Sequence, residues 1–328
     1  MKKIITLFAI VFMVIAGFTS CGKSVGPKAG NAQAENMLKL LPANADGVFF
    51  IDLERAMDTE FARKTITEDE DIQAFIEQTN IDPLEDLFFL AGALTQKESE
   101  EDKEKFAFIL NLNYDKDELL TLIREKAQEE DQEITETDYE GHTIYAMWED
   151  DKEISLSFID ESNILVGEKT QAQAIIDVIE KKKENFYSNE TLADLVSKTD
   201  KQAIFWGAIL FAPESLDEMT SDIPMLQDLK NLQAASIAFD YKNQALLADI
   251  KLMGGDETKN KNLADFLVGI KGFAGLMAAD KPEIGELMNA ITITSGPENV
   301  QISANIPEEL LNSLKSEIKP KEGEEDIK

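Results

Sequence analysis

Runs of strand-forming residues alternate with amphipathic stretches in an order that occurs twice along the chain, and this duplication limits the fold more than any other feature. The first copy opens with Leu41-Pro42-Ala43-Asn44 and the strand-like run Gly47–Ile51, followed by an amphipathic stretch that includes Ile72, Phe75 and Ile76. The second opens with the apolar run Ala203–Leu210 and a helical stretch from Glu214 to Lys230. Strand candidates Leu87–Leu94 and Phe106–Leu112 are matched by Ala234–Phe239 and Ala245–Leu252. Each pair leads into a helix. In the first copy it is Lys116–Gln128, with Leu119, Leu120, Ile123 and Ala127 on one face; in the second it is Asn262–Ala279. Strands Thr143–Trp148, Ile154–Ile159 and Asn163–Gly167 answer to Ile291–Thr294 and Val300–Ala304, so the second copy is one strand short. Helices Gln171–Lys182 and Pro307–Ile318 close the copies, Pro307 being suited to a first helical turn.

Strands joined by tight turns, such as Asp160-Glu161-Ser162-Asn163, and interrupted by returning helices read as an α+β fold. The expectation is two similar repeats of antiparallel sheet with helices packed on one face, the first over residues 37–200 and the second over 201–318. Leu41-Pro42-Ala43-Asn44 before a strand, Ile81-Asp82-Pro83 before the next, and Ile164-Leu165-Val166-Gly167 running into Ala174-Ile175-Ile176-Asp177 resemble a widespread group of uncharacterised bacterial envelope lipoproteins. These open with Leu-Pro-Ala-[Asn/Asp] and carry a duplicated α/β body of unknown function. The resemblance implies a fold and an envelope location, and no reaction.

The N-terminus points to the same compartment. Lys2 and Lys3 precede an apolar run from Ile4 to Phe18, and small residues then lead to Cys21, the chain's one cysteine. The run is shorter than the ~20 residues that span a hydrocarbon core, and no stop-transfer pattern follows, which disfavours a transmembrane anchor. The segment resembles a lipoprotein signal peptide over 1–20 with Cys21 as the acylated first residue of the mature chain, a palmitate-type membrane anchor. Gly22 follows it where inner-membrane retention favours aspartate, so the outer membrane is favoured where the cell has one. Gly17–Ser24 also spells G-x-x-x-x-G-K-[ST], but a phosphate loop needs a strand before it and a helix after it, and Val25-Gly26-Pro27 opens no helix. Residues 21–36, rich in Gly, Pro, Ala and Asn, read as a flexible tether, and 319–328 as an acidic tail.

Loss of residues 1–20 removes two lysines and no acid, leaving 30 basic against 64 acidic side chains, a net charge of −34. A surface this acidic repels phosphate backbones and anionic headgroups alike. Nucleic acid is therefore excluded as a partner, and attachment to a membrane falls to the acyl chains on Cys21. With that thiol consumed, no disulfide remains to the mature chain.

The inventory for chemistry is thin. His142, the sole histidine, sits at Gly141-His142-Thr143 and reads as a surface turn residue; no Gly-x-Ser-x-Gly elbow and no Cys/His spacing for a metal accompany it. Glu68-Asp69-Glu70-Asp71 lacks the glycine and alternate spacing of a calcium loop and reads as a solvated helix start, and Asp46 and Asp52 as the ends of an apolar strand. Gly269, Gly272 and Gly275 fall at every third position of an otherwise apolar helix, at a cost of about 1 kcal/mol each relative to alanine. Either they allow close packing of the helix on the sheet, or they line an apolar groove. The sequence thus reads as a non-enzymatic, cofactor-free, metal-free binding or scaffolding module with an envelope protein or lipid as partner. The alternative is a periplasmic carrier or chaperone for lipids or apolar polypeptides. A calcium-dependent hydrolase is a weaker third reading.

Overall fold

Residues of Gly47–Asp52 are buried almost without interruption, whereas those of Ala234–Lys242 alternate, the contrast between a strand covered on both faces and one covered mainly on one. The protein, a computed structural model, is described over residues 30–96, 105–149, 152–212, 216, 229–254, 256–278 and 281–318. The strands are β1 (Gly47–Asp52), β2 (Leu87–Thr95), β3 (Lys105–Leu112), β4 (Thr135–Tyr139), β5 (His142–Glu149), β6 (Lys152–Phe158) and β7 (Asn163–Gly167), then β8 (Phe205–Leu210), β9 (Ala234–Lys242), β10 (Ala245–Met253), β11 (Ile291–Ser295) and β12 (Val300–Pro307). They form one 12-stranded sheet in the order β11-β12-β10-β9-β8-β1-β2-β3-β7-β6-β5-β4. Every neighbouring pair is antiparallel, including β1 against β8 with Phe49 opposite Gly207.

The helices are α1 (Gly30–Leu38), α2 (Leu53–Met57), α3 (Glu60–Glu68), α4 (Glu70–Thr79), α5 (Pro83–Asp86), α6 (Lys116–Glu129), α7 (Lys169–Ile179), α8 (Glu190–Ser197), α9 (Glu257–Met277), α10 (Pro282–Ala290) and α11 (Glu308–Ile318). Several acids begin them: Asp69 accepts from the Asp71 and Ile72 amides, Asp115 from Asp117 and Glu118, and Asp256 from Lys259. Part of the chain's acidity is therefore helix capping, and in the Glu68–Asp71 cluster Asp69, Glu70 and Asp71 form the expected helix start while Glu68 ends α3.

Helices cover both faces of the sheet, which corrects the expectation of one. On the front, α2, α3, α4 and α6 pack on Ile51, Leu90 and Leu110. On the back, α1, α7 and α8 pack on Phe50, Ala91 and Ile109. The reason is legible in β1 to β3, where neighbouring residues are both apolar and neither face offers a surface suited to water. The centre of the back core is aromatic, with fully buried Trp206 stacked on Phe50 at 5.7 Å and Phe50 on Phe89 at 5.8 Å. Over β9, β10 and β12 the front is covered by α9 at one end, through Leu263 and Val300, and by α11 at the other, through Leu246 and Ile306.

Three further boundaries differ from expectation. The tether drawn over 21–36 overlaps α1, whose Ala34 and Met37 are buried, so packing begins before residue 36; residues 21–29 lie outside the described part. Strand β4 and helix α10 have no counterpart among the expected elements: Thr135-Glu136-Thr137-Asp138-Tyr139 carries acids on an edge, and α10, opened by Pro282, fills the interval between the expected helix Asn262–Ala279 and strand β11. Among the described residues, seven strands precede Ala203 and five follow it. The expected helix Glu214–Lys230 falls largely outside the described residues, as do the signal peptide, Cys21 and the tail. Asp160 does make the tight β6–β7 turn, its carboxylate accepting from the Ser162 and Asn163 amides.

Candidate functional site

Helix α9 breaks the rule by which a surface helix turns its charge outward. Between Asp265 and Asp280 its only charged residue is Lys271. That side chain is half-buried and donates to the Ile291 carbonyl of β11 at 2.5 Å. The apolar residues face the other way: Phe273, Leu276 and Met277 are 64, 78 and 74% exposed, and Val268 and Ile270 are exposed beside them. Isolated exposed apolar residues are ordinary, but five within ten positions of one helix form a contiguous patch that marks a contact surface.

Gly269 and Gly272 belong to this outward surface, whereas Gly275 is half-buried beside α10. Among the described residues, a Cβ added at Gly269 or Gly272 would meet nothing within 4 Å, and at Gly275 only Met288 of α10, at 4.0 Å. Gly269 and Gly272 therefore do not serve close packing of the helix on the sheet. They flatten the exposed side of the helix. Each exchange to alanine is expected to stabilise the protein by about 0.5–1 kcal/mol, since helix propensity gains and nothing clashes. A raised melting temperature for the Gly269→Ala/Gly272→Ala protein checks this; a lowered one would mean that the helix is packed on that side.

Beneath α9 the front of the sheet is incompletely covered. The direct cross-strand neighbours Ile293, Ile302, Ile250 and Ile237 are all half-buried. Continuing the same row across β8, Phe49 lays its ring over Gly92, where a Cβ would lie 2.4 Å from it. The row thus forms an apolar floor between the end held by α9 and the end held by α11.

A second cluster is charged and joins the two halves of the chain. Asp52, at the end of β1, accepts from the Arg55 amide at 3.1 Å. The Arg55 guanidinium donates to Asp240 of β9 at 2.9 Å and to the Gln202 carbonyl at 2.7 Å. Lys242 also pairs with Asp240, and the neighbouring Tyr241 hydroxyl donates to Glu308 at 2.6 Å. Burial pushes the Asp52 carboxyl above the ordinary aspartate value, against the pull of the Arg55 amide and charge. Sequence reasoning reads Asp52 as a strand end and misses Arg55, three residues on, together with Gln202 and Asp240, which Arg55 reaches far along the chain.

His142 is not a turn residue. The turn is Glu140-Gly141, both with positive φ, and His142 begins β5 with its ring 3.0 Å from Glu180 at the end of α7. Beside it Tyr139 donates to Asp177 at 2.9 Å and Lys183 pairs with Asp177 at 2.8 Å. Asp177 loses hydration, yet the bonds from Lys183 and Tyr139 hold its carboxyl below the usual value. These pairs clamp the β4–β5 hairpin to α7, and among the described residues no serine joins them. Among the described residues no group of three or more His, Cys, Asp or Glu is placed to hold a metal ion, and no helix is long and apolar enough to cross a membrane.

No protein-family profile and no curated protein matches the chain. Among solved structures it is similar to crystal form III of TP0453, at 14% identity and a TM-score of 0.46 over 90% of this chain and 99% of the other. Crystal form IV of the same protein aligns at 15% identity and 0.45 over 89% and 97%, and form I at 13% and 0.44 over 90% and 98%.

Proposed function

We propose that this is a lipid-anchored protein of the bacterial cell envelope, held through acyl chains on Cys21, whose body is a non-catalytic binding module. The observation that carries the binding role is the reversed helix α9, with Lys271 turned in and Phe273, Leu276 and Met277 turned out. An apolar surface of this kind is stable in water only at a cost that contact with an apolar partner removes. In an anchored protein the nearest such partners are the bilayer and other envelope proteins. Two similar repeats in the body are supported by the strand order. β1-β2-β3-β7-β6 on one side of the central pairing has the same sequence of chain positions as β8-β9-β10-β12-β11 on the other. The repeats then share one sheet, the first extended by β5 and β4.

Replacement of Cys21 by alanine is expected to move the protein from washed membranes to the soluble fraction with its circular dichroism and melting temperature unchanged. Tight membrane retention of that variant would defeat the anchor.

A second reading, carriage of a lipid or apolar polypeptide, is favoured by the half-buried floor of Ile237, Ile250, Ile302 and Ile293 beneath α9. A native mass spectrum of protein extracted gently from its own envelope separates the two. A stoichiometric lipid-sized adduct beyond the anchor's acyl mass supports carriage. A bare protein, or one bound to another polypeptide, supports the binding module.

A further inference from the structure

The sequence guards one edge of the sheet and leaves the other open. Edge strand β4 carries Glu136 and Asp138, and Glu136 pairs with Arg124 at 2.6 Å; charges on an edge oppose the addition of a further strand. Edge strand β11 reads Ile-Thr-Ile-Thr-Ser, and no charged residue occurs from Leu287 to Pro297. Its register with β12 runs without a bulge. The Gly296 amide donates to Asn299 at 2.8 Å, which sets the alternation of the ladder. Thr294 and Thr292 turn their backbone groups to β12, while Ile291, Ile293 and Ser295 turn theirs outward. The Ile291 carbonyl obeys this parity, since it is the acceptor of Lys271. Among the described residues, nothing meets the outward groups of Ile293 and Ser295.

We propose that this edge joins two copies of the chain, β11 against β11, antiparallel about a two-fold axis through Ile293. In that register Ile293 faces its own equivalent, Ile291 faces the equivalent of Ser295, and the outward backbone groups of Ile293 and Ser295 find partners, the Ile291 carbonyl accepting through its second lone pair beside Lys271. The strand is self-complementary because its outward residues are centred on Ile293. Charge favours the same place. Each mature copy carries a net charge of −34, so two copies approach where acids are absent, and repulsion between exposed charges is largely screened beyond about 8 Å at physiological salt.

Orientation supplies the third argument, which rests on the anchored reading above. A two-fold that continues an antiparallel sheet stands perpendicular to it, so the front faces of both copies point the same way. Helix α9 packs on the front of β11, and both apolar patches would meet one membrane or one partner surface together. Anchoring confines the copies to a plane and raises their effective concentration for pairing.

Because Cys21 is acylated, a new cysteine in the full lipidated protein reports alone. Across a hydrogen-bonded antiparallel pair the Cα atoms lie about 5.5 Å apart, within the roughly 4.4–6.8 Å that a disulfide bridges. Ile293→Cys in detergent under mild oxidation is expected to give a disulfide-linked dimer as the major species. Thr292→Cys, whose equivalent lies two residues out of register, is expected to remain unlinked, as is Thr137→Cys on the guarded β4 edge. Thr294 is exposed, so Thr294→Lys is expected to keep native circular dichroism and to halve the protein mass measured by sedimentation. A monomeric parent protein, an unlinked Ile293→Cys, linkage to a different polypeptide, or a mass unmoved by Thr294→Lys would each overturn the proposal. These readouts use detergent without a bilayer. A monomer that still binds membranes through α9 defeats the pairing alone.

Discussion

Exchange of Phe273, Leu276 and Met277 for serine is expected to weaken binding of the Cys21→Ala protein to zwitterionic vesicles by at least about a hundredfold while leaving its melting temperature within a degree or two. Full burial of one such side chain contributes about 1.5–3 kcal/mol. Partial burial of three at a bilayer or protein surface therefore contributes around 3 kcal/mol, roughly two powers of ten in affinity. The folded body loses little, because 64, 78 and 74% of these residues already lie in water. Zwitterionic lipid is the right probe, since a chain with a net charge of −32 is repelled by anionic headgroups and the repulsion would mask an apolar contact. Sedimentation of vesicles with bound protein provides the measurement. Unchanged binding would show that lipid is not what the α9 surface meets, and a large fall in melting temperature would show that these residues pack inside the protein. A contact of about 3 kcal/mol is reversible by the same arithmetic, so under the proposed lipid anchor it is the acyl chains that would hold the protein through washing.

The sequence disclosed the strands better than their surroundings. Period-two and continuous apolar runs located β1, β2, β3, β9, β10 and β12 to within a few residues, because an antiparallel sheet imprints its pleat on the chain. It disclosed less about layers. Gly47–Asp52 and Leu87–Thr95 are apolar on both sides, a sign of two covered faces, but a short apolar run has the same spelling whichever elements cover it. The edge strand β4 was lost because Glu136 and Asp138 suppress the hydrophobic signal where an edge needs charge. For α9 the glycine spacing marks the helix without saying which way it faces. Packing against the sheet and exposure to a partner both favour small and apolar residues, and only the direction of Lys271 separates them. The Arg55 cluster was invisible, since Asp52, Gln202 and Asp240 meet only through the β1–β8–β9 pairing.

That cluster carries the second large effect. Arg55→Ala is expected to destabilise the protein by about 3 kcal/mol at pH 7, because it leaves two buried carboxylates, Asp52 and Asp240, without their shared cation. Lys242 still pairs with Asp240, so Asp52 bears most of the loss. Asp52→Asn is the contrasting change. The amide oxygen continues to accept from the Arg55 amide and no charge is buried, so stability at pH 7 is expected to hold or to rise by up to about 1 kcal/mol. The two variants also part with pH. A carboxyl whose folded pKa lies above its unfolded 3.8 holds its proton more tightly in the folded state. Its contribution to stability is then greatest below 3.8 and declines as pH rises through the folded value. In Arg55→Ala the lost cation raises that value further, so the deficit relative to wild type is expected to shrink on acidification toward pH 4. In Asp52→Asn this group's pH dependence disappears. Denaturant unfolding of the three proteins between pH 4 and 8 tests the assignment. An Arg55→Ala deficit that is flat across this range would mean that the guanidinium acts by packing and its bond to Gln202, with the carboxylates already satisfied elsewhere. A deficit confined to higher pH would make Arg55 the electrostatic joint between the two halves of the sheet.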